Sequence, residues 1–103
     1  MINRRLSLEK RELFTRIDEI LFYKWDPIGI SATDWARDEY HPYIPKLFKL
    51  TLANDQAAPL AAYLSAIVEG RLDLKPNRAH DLAIAALILA VKERCLLPEI
   101  SHH

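Results

Sequence analysis

Between Asp81 and Lys92 the chain reads LAIAALILAV, a run without a single polar side chain. It is far shorter than the ~20 residues needed to cross a bilayer, so it predicts a buried helix rather than a membrane span. A surface helix of a monomer keeps one polar face, and this one has none. The helix must therefore be central to the fold, or its outer side must be covered by a second chain. Three other helices are too few to enclose it completely. The expectation is a homodimer or an obligate partner on this helix, with Ala83, Ala86 and Ala90 letting another helix approach closely.

The rest of the chain supplies those three helices. Ser7 is placed as an N-cap, and Leu13, Phe14, Ile17, Ile20 and Leu21 then recur on one helical face. Lys24 falls on the same face, so this helix is expected to end near Phe22 or Tyr23. Asp26-Pro27-Ile28-Gly29 has the residue types of a tight turn. Ser31 to Tyr40 predicts a loop with at most one helical turn. From Tyr43 a second helix carries Ile44, Leu47, Phe48 and Leu52 inward, with Pro45 in its first turn, where no backbone donor is required. Asp55 is placed to cap a third helix with the stripe Leu60, Leu64, Ile67 and Val68, and Gly70 to sit just beyond its end. Asn77 caps the fourth, from about Arg78 to Cys95, which Pro98 stops. Strand-like alternation and internal repeats are absent from the sequence. The prediction is an all-α fold, a small antiparallel four-helix bundle in one domain over residues 1–103, with one long aromatic, acidic loop between its first two helices.

Charge and cysteine content narrow the function. Fourteen basic and 14 acidic residues cancel, so no overall field draws the chain onto a phosphate backbone, and neither nucleic acid nor a membrane is expected as a partner. Cys95 is the lone cysteine, which rules out an internal disulfide and a thiolate zinc cluster and suits a reducing cytoplasm. The start, MINRRLSLEKRE, turns polar before any apolar run develops and does not resemble a secretory signal. Arg4 and Arg5, with Lys10 and Arg11, could touch nucleic acid, but a frayed basic start is commoner. His102 and His103 read as the stub of a purification tag.

The long connection, FYKWDPIGISATDWARDEYHPYIP from Phe22 to Pro45, gathers two tryptophans, three tyrosines, three prolines and four carboxylates. As chemistry, Asp26, Asp34, Asp38 and Glu39, with His41 nearby, could make an acid–base pair or a hard-metal site. The spacing matches no ligand motif, and a bundle of this size offers little concavity, so caps and turn formers outweigh catalysis. The expectation is no catalytic residue, no metal ligand and no cofactor. His80, near the start of the last helix, reads as a surface or capping residue, and Cys95 as packing. Ordering a loop of about twenty residues costs roughly 1–2 kcal/mol per residue, which buried aromatics must offset. Carboxylates and aromatic edges left outside form a surface suited to another protein's basic patch. The candidate partner-binding residues are Asp34, Trp35, Asp38, Glu39 and Tyr40.

WDPIG at Trp25–Gly29, followed by DEY at Asp38–Tyr40 and then Tyr43 and Pro45, resembles the signature of a family of short bacterial helical proteins of unknown function. The resemblance covers roughly Leu13 to Leu72 and implies an opening helix, the W-D-P-I-G turn, a D-E-Y-x-x-Y-x-P entry to the second helix and a third helix behind it. Such proteins are similar to bacterial immunity proteins, cytoplasmic inhibitors that neutralise toxins, including those delivered in contact-dependent inhibition. The apolar helix from Asp81 to Val91 departs from the polar carboxyl-terminal helix of that family. The resemblance implies a non-enzymatic inhibitor whose partner is a toxin domain. A nuclease target would suit the carboxylates, which would stand in for phosphates. The rival readings are a structural or regulatory homodimer and, less favoured, a small metal-binding protein or enzyme.

Overall fold

The computed structural model describes residues 7–33 and 36–96. The fold is all-helical: α1 (Leu8–Ile20), α2 (Ile44–Ala53), α3 (Ala57–Ala66) and α4 (Arg78–Cys95) pack around one shared core. Arg4, Arg5, Asp34, Trp35, Pro98, His102 and His103, singled out above, lie outside the described residues.

Ser7 caps α1 as expected, its hydroxyl oxygen accepting from the Lys10 amide at 3.1 Å. The helix does not stop at Phe22 or Tyr23. It widens into a π turn, Leu21–Trp25, in which the Asp26 amide reaches back five residues to the Leu21 carbonyl at 3.0 Å. An uninterrupted α-helix would carry Lys24 onto the buried face after Ile17, Ile20 and Leu21. The extra residue in the π turn shifts the phase by one, burying Trp25 and leaving Lys24 outside.

A 3-10 turn, His41–Tyr43, leads into α2, with Pro45 in its first turn. Ile44, Leu47 and Phe48 are buried as the spacing predicts, Leu52 packs partly buried against the core, and Thr51 is buried beside them. The Thr51 hydroxyl is satisfied there by donating to the Leu47 carbonyl at 2.7 Å. Asp55 does not cap α3. The cap position is Gln56, without a side-chain bond, and Asp55 is exposed beside Lys92 at 3.4 Å. Nor does Gly70 lie beyond the helix end. α3 runs on into a second π turn, Ile67–Arg71, which contains Gly70, and the left-handed backbone falls on Asp73 at φ 55°.

Asn77 caps α4, its side chain accepting from the His80 amide at 3.0 Å. α4 packs against α1, α2 and α3. Leu13, Ile17, Leu21, Leu47, Leu60, Leu64, Ala85 and Ile88 at the centre are entirely buried, each leucine or isoleucine contributing about 1.5–3 kcal/mol. Among the described residues, no helix is long and apolar enough to cross a membrane.

Candidate partner-binding surfaces

The connection after α1 is held by two joined polar networks. Trp25 is 2% exposed, and its indole N–H donates to Asp81 Oδ1 at 2.9 Å. Asp81 is itself buried in the first turn of α4, and its other oxygen accepts from the Ser65 hydroxyl at 2.7 Å. His80 Nε2 lies 3.0 Å from the Trp25 carbonyl oxygen, which it reaches as a donor. Trp25 is thus pinned to α4, and through Asp81 to α3, both far away in sequence.

The second network is centred on Asp26, which takes a left-handed backbone at φ 33°. Its carboxylate accepts from the Ile30 amide at 2.8 Å, the Ser31 amide at 3.0 Å and the Tyr40 hydroxyl at 2.8 Å. The Gly29 amide closes the predicted turn on the Asp26 carbonyl at 3.2 Å, and Gly29 has the positive φ, 69°, that favours glycine. The Ile28 amide donates to the Tyr40 hydroxyl oxygen at 3.2 Å. Partial burial pulls the Asp26 carboxyl upward, but these donors outweigh it and hold the group below the usual carboxylate range. Burial, together with the neighbouring Asp26 carboxylate, raises the Tyr40 phenol well above the ordinary tyrosine range, against the opposing pull of the Ile28 amide.

Tyr40, expected among the partner-binding residues, is therefore an internal brace. It is 2% exposed and packs edge-on against Trp25 at 5.3 Å between ring centroids. Its hydroxyl is committed to Asp26, which leaves no ring surface for a partner. Asp26 is equally committed. Among the described residues no three His, Cys, Asp or Glu side chains gather in a way that could hold a metal ion.

Arg37 sits over the rings of Phe22, at 4.8 Å, and Tyr23, at 5.4 Å, and pairs with both oxygens of Asp18, at 2.8 and 3.3 Å. His41 Nε2 approaches the same Asp18 carboxylate at 3.2 Å. The Asp18 contact raises the Arg37 guanidinium further, against the effect of partial burial. Two of the described carboxylates of the connection are left over. Asp38 and Glu39 are exposed and form no ion pair among the described residues, and they stand on a connection fixed from both ends. Cys95 is half-buried, and burial and Glu12 push its thiol up, away from the thiolate form.

α4 offers the other surface. Asp81, Ile84, Ala85 and Ile88 face the core, so the helix is not enclosed on all sides by its own chain. Ala79, Leu82, Ala83, Ala86, Leu87 and Ala90 form an exposed stripe on the opposite side, with Leu82 49% and Leu87 38% exposed. Depressions flank this ridge. One, of about 390 Å³, lies against α1 and the first π turn and includes Ile20, Tyr23, Leu87 and Val91. The other, of about 270 Å³, lies against α3 and includes Ala58, Ala61, Ala62 and Leu82. A groove of about 550 Å³ on α2 is lined by Pro45, Lys46, Lys49, Leu50 and Ala53, and gathers none of the candidate residues.

Sequence reasoning missed Asp81, Ser65 and Asp18, all of which organise the connection. The signal for Asp81 was available, since it is the carboxylate that falls on the inner face of α4. Its partners lie 56 and 16 residues away, and no local spacing announces them. No family model, curated protein or solved structure matches this chain.

Proposed function

We propose that this chain is a non-enzymatic protein-binding module, an immunity- or antitoxin-type inhibitor that neutralises a bacterial toxin domain by direct contact. One observation carries the reading: Asp38 and Glu39 are exposed and form no ion pair among the described residues, on a connection locked by the Trp25–Asp81 and Asp26–Tyr40 contacts. A fixed display of charge loses little ordering entropy on binding, and steers an oppositely charged partner into register. The fit is to lysine and arginine side chains, such as those lining a nuclease cleft.

The test is affinity capture from the native bacterium, with Asp38→Lys and Glu39→Lys combined as the comparison. The expected result is one stoichiometric partner that arrests growth when expressed alone, and whose affinity falls about thirty-fold or more with both charges reversed, on the order of 2 kcal/mol. Undiminished affinity in the double variant removes the loop from the interface, and a partner harmless on its own removes the toxin.

A second reading, self-association as the purpose of the chain, is favoured by the exposed apolar face of α4. The two readings use different surfaces.

A further inference from the structure

The exposed stripe of α4 reads the same from either end. In chain order it is Ala79, Leu82, Ala83, Ala86, Leu87, Ala90, with spacings of three, one, three, one and three residues about the Ile84–Ala85 peptide. A two-fold axis perpendicular to the helix pairs residue i with j and j with i, so on this face it sets alanine against alanine and brings leucine level with leucine.

We propose that the face is covered by a second copy of this chain, with the two α4 helices antiparallel about an axis at the Ile84–Ala85 peptide. This rests on the self-association reading and not on the toxin-binding one. At 3.6 residues per turn the four alanines form a central seam, and the leucines lie to either side of it. Antiparallel pairing sets Ala79 against Ala90 of the second copy and Ala83 against Ala86. Each Leu82 comes level with the second copy's Leu87 across the seam. Alanine at every seam position lets the helix axes approach at the short end of the usual separation.

The charges are compatible with that axis. Arg78, which lies 3.7 Å from Glu69 of its own chain, precedes the stripe, Glu93 follows it, and both are exposed on the Leu82 side of the helix. The two-fold axis brings Arg78 of one copy within about two helical residues of Glu93 of the other, at both ends of the pair. No charge falls inside the stripe, so the pairing buries no unpaired ion. A parallel pair would set Arg78 level with Arg78 and Glu93 level with Glu93 on opposite sides of the pair, and would bring no opposite charges together.

Sedimentation over roughly 1–500 µM reads the association. The expected mass rises from 11.9 kDa towards twice that value, with dissociation at the micromolar order suited to a small interface. Ala83→Glu puts a charge on an exposed seam position, so it is expected to keep the native circular dichroism and weaken association at least ten-fold. In a Cys95→Ala background, oxidation of mixed Ala83→Cys and Ala86→Cys chains is expected to give the hetero-disulfide in preference to either self-linked species.

A strictly monomeric chain across this range overturns the proposal, as does a dimer indifferent to Ala83→Glu. Preferential self-linking of Ala83→Cys overturns the antiparallel register. A toxin domain whose binding is lost in Ala83→Glu, with the free chain monomeric, overturns the self-pairing and leaves the inhibitor reading standing.

Discussion

Asp81 is a carboxylate in the core that meets two neutral donors, Trp25 and Ser65, rather than a cation. Hydrogen bonds to a charged group are worth about 1.5–3 kcal/mol, and leaving the donors buried without an acceptor forfeits that gain. Asp81→Ala is therefore expected to cost about 3 kcal/mol in urea unfolding. Asp81→Asn is expected to cost about 1 kcal/mol, since its amide oxygen still accepts from Trp25 and its amide nitrogen can donate to Ser65. Equal losses would mean that charge, rather than hydrogen-bond matching, holds the site. The second network makes its own prediction in pH. The Asp26 pKa is lowered in the fold, so its contribution is complete above the unfolded value of about 3.9 and is lost as pH falls through the folded one. The Tyr40 pKa is raised, so its contribution is complete below about pH 10 and is lost as pH climbs towards the folded value. Tyr40→Phe lacks that titration. Its stability deficit against the parent chain should be constant at neutral pH and shrink above pH 10, when unfolding is followed at alkaline pH.

The helices themselves were legible in the sequence because apolar spacing and caps act within one or two turns. Ser7 and Asn77 cap where local chemistry places them, and Leu13, Ile17, Leu47, Leu60 and Leu64 are buried where periodicity puts them. The two π turns were not legible, since one additional residue per turn leaves composition unchanged; the first is held by tertiary contact, Trp25 to Asp81, and the second by a local backbone bond, the Leu74 amide donating to the Val68 carbonyl at 2.9 Å. That is why the first helix was expected to end early and Gly70 was expected outside α3. The connection was legible as a turn at Asp26–Gly29, but not as a closed network, because Tyr40 comes back to Asp26 across 14 residues. The two glycines separate these cases experimentally. At Gly70 a methyl group meets nothing within 4 Å and φ is not positive, so Gly70→Ala is expected to stabilise the chain by about 0.5–1 kcal/mol. At Gly29 there is also room, but φ is +69°, so Gly29→Ala is expected to destabilise by about 1–2 kcal/mol. Thermal unfolding of the pair checks both signs, and a stabilising Gly29→Ala would mean that the turn gives way at no cost.

For the molecule as a whole, α4 is the element every other helix leans on, yet half its circumference is apolar and turned outward. The inner half is settled by the single chain: Ile88 is entirely buried, and Ile88→Ala should cost about 2–5 kcal/mol at any protein concentration. The outer half is different in kind, because covering it takes a second molecule and its contribution obeys mass action. A partner that binds only the folded state stabilises it by an amount that grows with the logarithm of concentration. If the second copy sits on Ala79–Ala90, Tm should rise by several degrees as the chain is concentrated from about 1 to about 500 µM, a shift that one or two kcal/mol produces in a domain of this size. Ala83→Glu should hold one Tm throughout, equal to that of the dilute parent chain, while Ile88→Ala should keep the parent's concentration dependence at a lower baseline. Lines of equal slope for the parent chain and Ala83→Glu would place all the stability of α4 on its inner face and leave its leucines as surface cost alone.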